Sequence, residues 1–262
     1  LIEPLIKDLD THSIKGYAFK YFLWDKIYPL YLKGGRPDRI NQHNLIWSRK
    51  ALLSMLSKRL SVFSDGKIKS FDSLFESSFN ISADDIIITL SGYSPRNVIR
   101  LCNEIISEQT LIDSDVSKLD NRTLDRASLK YSENICNEIY GQAVVKDIKK
   151  IDREIFTINH LASNIYKTHN NSIRPKVASW EKIDLCQNIG LDRGGMAKKP
   201  TQVYYISDPR ANRIINNKIP VEKWMKDNWM NCIHCDADII LDLNYATNGY
   251  ELECWRCNRS II

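Results

Sequence analysis

Four cysteines, Cys232, Cys235, Cys254 and Cys257, fall in two C-x₂-C pairs with eighteen residues between the pairs. Each C-x₂-C turn aims two thiolates at one point, and a hairpin of the intervening length returns the second turn to the first. Thiolates are soft donors that suit tetrahedral zinc, and four of them leave no coordination position open to a substrate. The spacing therefore predicts a structural zinc site that builds a module and performs no reaction. About 40 residues cannot bury enough apolar surface to fold without such a staple. His234 lies inside the first turn; with four thiolates present, its expected place is the surface.

A second set of residues could meet phosphates. Over 160–218 there are ten basic residues against four acidic ones, a larger surplus than the +5 of the whole chain. Among them, Arg174 and Lys176 are expected at the start of the second helix of a helix-turn-helix, where side chains face the major groove. Lys167 sits just before that turn, and Lys198 and Lys199 are expected on a β-wing within reach of phosphates. The same charges would equally make a solvated face on a module that binds only protein.

The third candidate is Arg96, in the run Gly92-Tyr93-Ser94-Pro95-Arg96-Asn97-Val98-Ile99-Arg100-Leu101-Cys102. Serine followed by proline marks a helix start, so Arg96 would project from a helix N-terminus, a favourable place for an anion. Catalytic patterns are thin. His12, His43, His160, His169 and His234 are scattered, and neither G-x-S-x-G nor H-E-x-x-H occurs. Asp84 and Asp85 follow Ser82 and are expected in the acidic first turn of a helix. The sole Gly-Lys, Gly66-Lys67, is followed by Ile68 and has Ser61 where a phosphate-binding loop needs its first glycine. By that mechanism this chain alone cannot hydrolyse ATP, and ATPase activity is expected only where an upstream or partner P-loop core is present.

The elements that must position these residues are mostly helical. An aromatic helix is expected from Ile14 to Leu32, stopping at Gly34-Gly35-Arg36-Pro37. The next carries Leu45 to Leu60 and ends near Ser64-Asp65-Gly66, with Asn44 or Gln42 as its cap. Helices from Ser82 and Ser94 follow, then two more over 117–150. After Asp152 the order changes: a helix with Leu161, Ile165 and Tyr166, a polar turn at 168–172, and a second helix from near Pro175 to Gly190. Gln202–Ile206 then alternates like a strand. This is the order of a winged helix-turn-helix. Ile239–Tyr245 and Tyr250–Leu252 read as strands around Thr247-Asn248-Gly249, a hairpin between the cysteine pairs, and hence a zinc ribbon. The expected fold is mainly α in three parts: a helical bundle over 1–150, a winged helix over 151–222 and a ribbon over 223–262.

Composition bounds the rest. The 262 residues are 43% hydrophobic and 26% charged, enough for packed cores. No apolar run approaches a bilayer's thickness. The start, Leu1-Ile2-Glu3-Pro4, shows neither a basic signal-peptide region nor an initiator methionine, which predicts that the natural beginning lies upstream. Subtracting the paired cysteines from seven leaves Cys102, Cys136 and Cys186, expected as small buried hydrophobes in a reducing, cytoplasmic setting.

The Pro95-Arg96 segment resembles the sensor-2 helix of AAA+ and STAND-type P-loop ATPases. There a (G/S)-x-P-R sequence opens a lid helix whose arginine reaches the nucleotide's terminal phosphates. That resemblance assigns the role to Arg96 and implies ATP and Mg²⁺ only where a P-loop core is supplied, upstream or by another subunit. Phe22-Leu23-Trp24-Asp25-Lys26-Ile27, Arg36-Pro37-Asp38-Arg39-Ile40 and Lys58-Arg59-Leu60 are similar to segments between core and lid in a bacterial group of these ATPases. Trp180, Gly190 and Tyr205-Ile206-Ser207-Asp208-Pro209 are similar to its appended winged helix. Together they span most of residues 15–215. The implied function is the C-terminal lid and binding region of such an ATPase, coupling nucleotide state to nucleic acid, DNA above all, or to protein partners. Phage defence or mobile elements is the biology the family implies. A stand-alone winged-helix regulator, a homo-oligomer among its forms, and a pure protein-interaction module are the alternatives.

Overall fold

Helix starts are set by side chains that reach back to free backbone N–H groups, each worth about 1 kcal/mol. In the computed structural model Ser48 accepts from the Ala51 amide and opens α1 (Arg49–Phe63). Ser48, not Asn44 or Gln42, is the cap, because it stands immediately before the first helical residue. Ser82 caps α2 (Ala83–Leu90), with Asp84 and Asp85 in its first turn. Ser94 caps α3 (Pro95–Ile112), with Pro95 in its first turn. Asp120 caps α4 (Asn121–Tyr140), and Gly141, at φ 85°, separates it from α5 (Gln142–Ile148).

The structure describes residues 15–16, 32–33, 45–192, 201–241, 252–254 and 256–261. Contacts divide the chain into Leu1–Ile46 and Trp47–Ile262, and every named element belongs to the second unit. The expected aromatic helix over 14–32, with the family-like segments at 22–27 and 36–40, lies almost wholly outside the described residues. So do Lys198, Lys199 and the Thr247-Asn248-Gly249 turn.

Helices α1 to α4 enclose a core of Leu52, Leu56, Ile87, Leu101, Ile105 and Leu124. Helix α9 (Val221–Asn228) joins it through Val221, Trp224 and Met225, so it straddles the boundary expected at 222. Between them, β1 (Ile155–Thr157) leads to α6 (Ile158–His160), which runs on as a π-helical turn over Leu161–Tyr166. Then come α7 (Asn170–Lys182), β2 (Cys186–Asp192), β3 (Thr201–Ile206) and α8 (Pro209–Ile215). The three strands form an antiparallel sheet in the order β1-β3-β2.

One expected element is corrected. The second helix begins at Asn170, five residues before Pro175, and stops at Lys182, so that Pro175 lies inside it. Of the apolar run Ile183-Leu185-Ile189, Ile183 and Leu185 lie in the turn after the helix and Ile189 in a strand: β2 occupies Cys186–Asp192 with a bulge between Asn188 and Gly190. Gly190, at φ 123°, supplies the backbone freedom that the bulge needs. A short apolar run reads alike in either period, and here the pairing with β3 decided it. Arg174 and Lys176 consequently lie mid-helix.

Alternation in the sheet divides it into two buried faces. Phe156, Tyr204 and Ile206 face α7, where Phe156 packs edge-on against Trp180 at 6.2 Å and stacks with Tyr204 at 5.9 Å. Ile155, Val203 and Tyr205 face the cysteine segment, with Ile239, Leu241 and Leu252 opposite. That segment contributes β4 (Trp229–Asn231) and β5 (Asp238–Ile240), paired antiparallel around the first C-x₂-C turn. The described chain is thus mainly helical with small antiparallel sheets, as expected. Cys102, Cys136 and Cys186 are buried and unpaired. Among the described residues no helix is long and apolar enough to cross a membrane.

Candidate metal centre and its surroundings

The two C-x₂-C turns repeat one backbone pattern. In the first, Cys232 donates its N–H to the Ala237 carbonyl and Asp236 donates to the Cys232 carbonyl, both at 2.9 Å. In the second, Cys254 donates to Arg259 and Asn258 donates to Cys254, again at 2.9 Å. Each turn closes on a left-handed residue directly after its second cysteine, Asp236 at φ 58° and Asn258 at φ 53°. Aspartate and asparagine tolerate that conformation better than most side chains. The amides of His234 and Arg256 donate to the Cys232 and Cys254 sulfurs, each at 3.4 Å.

The result is a four-sulfur cage. Cys232 and Cys257 sulfurs lie 3.8 Å apart, Cys235 and Cys254 sulfurs 3.6 Å, and all four within 4.8 Å of one another. These separations are far too long for disulfides. They match the edge of about 3.8 Å that a tetrahedron with metal–sulfur bonds of about 2.3 Å requires. Burial raises the Cys232 thiol, but donation from the His234 and Cys235 amides outweighs it and brings the thiol down to about 7. Burial and the neighbouring thiols push Cys235 up to about 12. A cation held among the four sulfurs would favour their thiolate forms. These four residues could hold a metal ion. His234 is exposed, as expected, with Nε2 lying 3.2 Å from the Ser260 carbonyl oxygen on the opposite turn.

Asp238, three residues beyond Cys235, anchors the cage to the helices. Its buried carboxylate takes both oxygens to Arg49 Nη1 at 2.6 Å. It also accepts from Thr89 Oγ1 at 2.9 Å, Trp229 Nε1 at 3.0 Å and Asn231 Nδ2 at 3.1 Å. Arg49 reaches Asp85 at 2.5 Å with its other nitrogen and lies 4.7 Å from the Trp229 ring centre. Burial opposes the Arg49 charge, yet Asp238 and Asp85 more than offset it and hold the guanidinium above its ordinary value. Asp85, expected as a helix-start residue, is also the second carboxylate partner of Arg49. No sequence spacing marks Arg49 and Asp238, which are 189 positions apart.

Tyr93 completes the junction. It sits at φ 61°, in the left-handed region that costs a bulky side chain. Its hydroxyl accepts from the Asp238 amide at 3.0 Å and lies 3.5 Å from the Asp236 carbonyl. The Arg256 guanidinium of the second turn covers its ring at 5.3 Å. Burial and the nearby Asp238 carboxylate keep the phenol protonated well above its usual range. Next to it, a Cβ on Gly92 would come within 3.5 Å of the Arg210 guanidinium.

The remaining candidates are dispersed. Arg96 is exposed on the first turn of α3, three residues from Tyr93. Lys167 is exposed and left-handed, at φ 50°, at the end of the π-helical turn. Arg174 is exposed on α7. Lys176 is half-buried: its ammonium pairs with Asp147 at 2.5 Å and lies 4.9 Å from the centre of the Tyr166 ring. Arg210 pairs with buried Asp208 at 2.8 Å, and fully buried Arg213 pairs with Asp125 at 2.6 Å. Among the described residues, three of the basic side chains over 160–218 therefore serve the interior. The sequence surplus overstates the charge that faces solvent.

The chain matches no protein-family model, and no curated protein matches it.

Proposed function

We propose that the chain is a nucleic-acid-binding lid region of a P-loop ATPase, with α7 in the groove of a duplex and a zinc-held ribbon behind the sheet. DNA is the favoured partner. The observation that carries this reading is the division of α7. Ile173, Val177 and Trp180 are buried, while Asn171, Arg174, Ala178 and Lys182 are exposed at helical spacing along the other side. Asparagine and arginine can read base edges, and a small residue between them lets the helix approach closely. The element order and the β1-β3-β2 strand order support reading this part as a winged helix. The tetrathiolate set favours zinc among the common metals, in a structural role that Cys232, Cys235, Cys254 and Cys257 would fill. Arg96, exposed at a helix start, is placed to meet an anion such as a nucleotide phosphate from a core supplied by the same polypeptide or a partner.

The test is fluorescence anisotropy with a labelled duplex across a salt series. Affinity should fall steeply with salt. Arg174→Ala with Lys167→Ala should weaken binding and lower the salt slope by roughly one per lost phosphate contact. No binding at low salt would sink the nucleic-acid reading. A second reading, a protein-docking module, is favoured by the internal pairing of Lys176, Arg210 and Arg213. It predicts no duplex binding under any salt condition.

A further inference from the structure

Among the described residues Arg96 has no partner in the cysteine module, yet the turn that carries it is gripped by both halves of the cage. From the first C-x₂-C turn, the Asp238 amide donates to the Tyr93 hydroxyl, which in turn points to the Asp236 carbonyl. From the second, Arg256 lies over the Tyr93 ring. Tyr93 is the residue before the α3 cap, Ser94, and its strained left-handed backbone sets where Pro95 and Arg96 begin. A strained residue persists only when its surroundings over-determine it. Here the surroundings are two short turns that meet at the four sulfurs and where His234 Nε2 lies 3.2 Å from the Ser260 carbonyl oxygen.

We infer that Tyr93 is a positioning residue for Arg96, and that metal held by Cys232, Cys235, Cys254 and Cys257 is what fixes Tyr93. This rests on the tetrathiolate metal reading and not on any nucleotide role for Arg96. With the cage filled, the two turns are locked together and both contacts to Tyr93 exist at once. With it empty, the turns separate, Asp236, Asp238 and Arg256 lose their register, and the left-handed turn relaxes. The body of α3 does not depend on the metal, because Val98, Leu101 and Ile105 are buried in the helical core. The effect is therefore confined to the helix start.

The experiment is amide hydrogen exchange on the chain in metal-loaded and chelator-stripped forms, after the metal content of each has been measured. The amides of Gly92, Ser94 and Asn97 report the turn; that of Leu101 reports the helix body. Loading should slow exchange at the three turn amides by about three- to tenfold, as expected for restoring a partly buried hydrogen bond and its ring contact. In Tyr93→Phe the metal should still bind at one ion per chain, while its protection of the turn shrinks to less than about twofold, since coupling needs both partners. A merely structural tyrosine would raise exchange equally in both metal states. If metal binds and the wild-type turn exchanges alike with and without it, the inference fails. Undiminished protection in Tyr93→Phe would remove Tyr93 as the link. If no metal binds, the metal reading fails and takes the inference with it.

Discussion

The two faces of the three-stranded sheet are covered by different means. On one, Phe156, Tyr204 and Ile206 meet α7 and Trp180 in a core of large apolar side chains. On the other, Ile155, Val203 and Tyr205 meet the cysteine segment, where Ile239, Leu241 and Leu252 pack beside the four thiols and the Tyr205 hydroxyl donates to the Ile240 carbonyl. The first face can be stable by area alone, at about 25 cal/mol per Å² of apolar surface. The second needs a cage and a clasp, the Arg49–Asp238 pair. Covalent-strength ligation and buried polar contacts substitute for apolar area where a segment is too short to make a core.

The strongest way to break that comparison is to empty the cage. Chelation, or Cys254→Ser, should abolish hydrogen-exchange protection over 232–241 and 252–261 while the α7 amides around Val177 stay protected. Structural metal in small modules contributes on the order of 10 kcal/mol, so the loss should be complete. Simultaneous loss on both faces would show that they form one cooperative unit.

Next in size are substitutions that strike one face each. Asp238→Ala leaves the Arg49 charge buried without its main partner and should cost about 3–5 kcal/mol in urea denaturation. Trp180→Ala should cost a comparable 3–5 kcal/mol by opening a cavity. The distinction lies in metal: Asp238→Ala should weaken retention against a chelator, whereas Trp180→Ala should leave retention unchanged. Equal effects on retention would erase the difference between the faces.

The smallest effect is a pH dependence. Burial raises the Asp208 carboxyl, but Arg210 and the Tyr140 hydroxyl outweigh it and hold the group below its ordinary value of 3.8. Its contribution is therefore complete above about pH 4 and is lost as pH falls through the lower folded value. Wild type should be more stable than Asp208→Asn at neutral pH, with the gap closing below pH 4 in acid-titration melts. A gap that does not narrow at all as the pH falls below 4 would mean that the carboxylate is not what stabilises the start of α8.

Legibility followed the range of the interaction. Ser82, Ser94 and Pro95 announced their helices because a cap is satisfied within three residues. The cysteine pairs announced the cage because a metal ligand's chemistry is written in its residue type. The span 183–190 reads as helix from the sequence because an apolar run fits a helix or a strand until a pairing partner is known, and β3 supplied it. Lys176, Arg210 and Arg213 were read as surface charge because a charged residue is usually solvated; carboxylates at positions 147, 208 and 125 drew them inward.

By itself, then, the sequence determined what depends on local bonding: the helix starts at Ser82 and Ser94 and the four-sulfur donor set. Only the tertiary structure decided what depends on distant partners. It buried both faces of the sheet, joined Arg49 to Asp238 across 189 positions, and set Tyr93 between the cage and the helix that bears Arg96. Such contacts are fixed by the packing of whole elements, and no spacing along the chain encodes them.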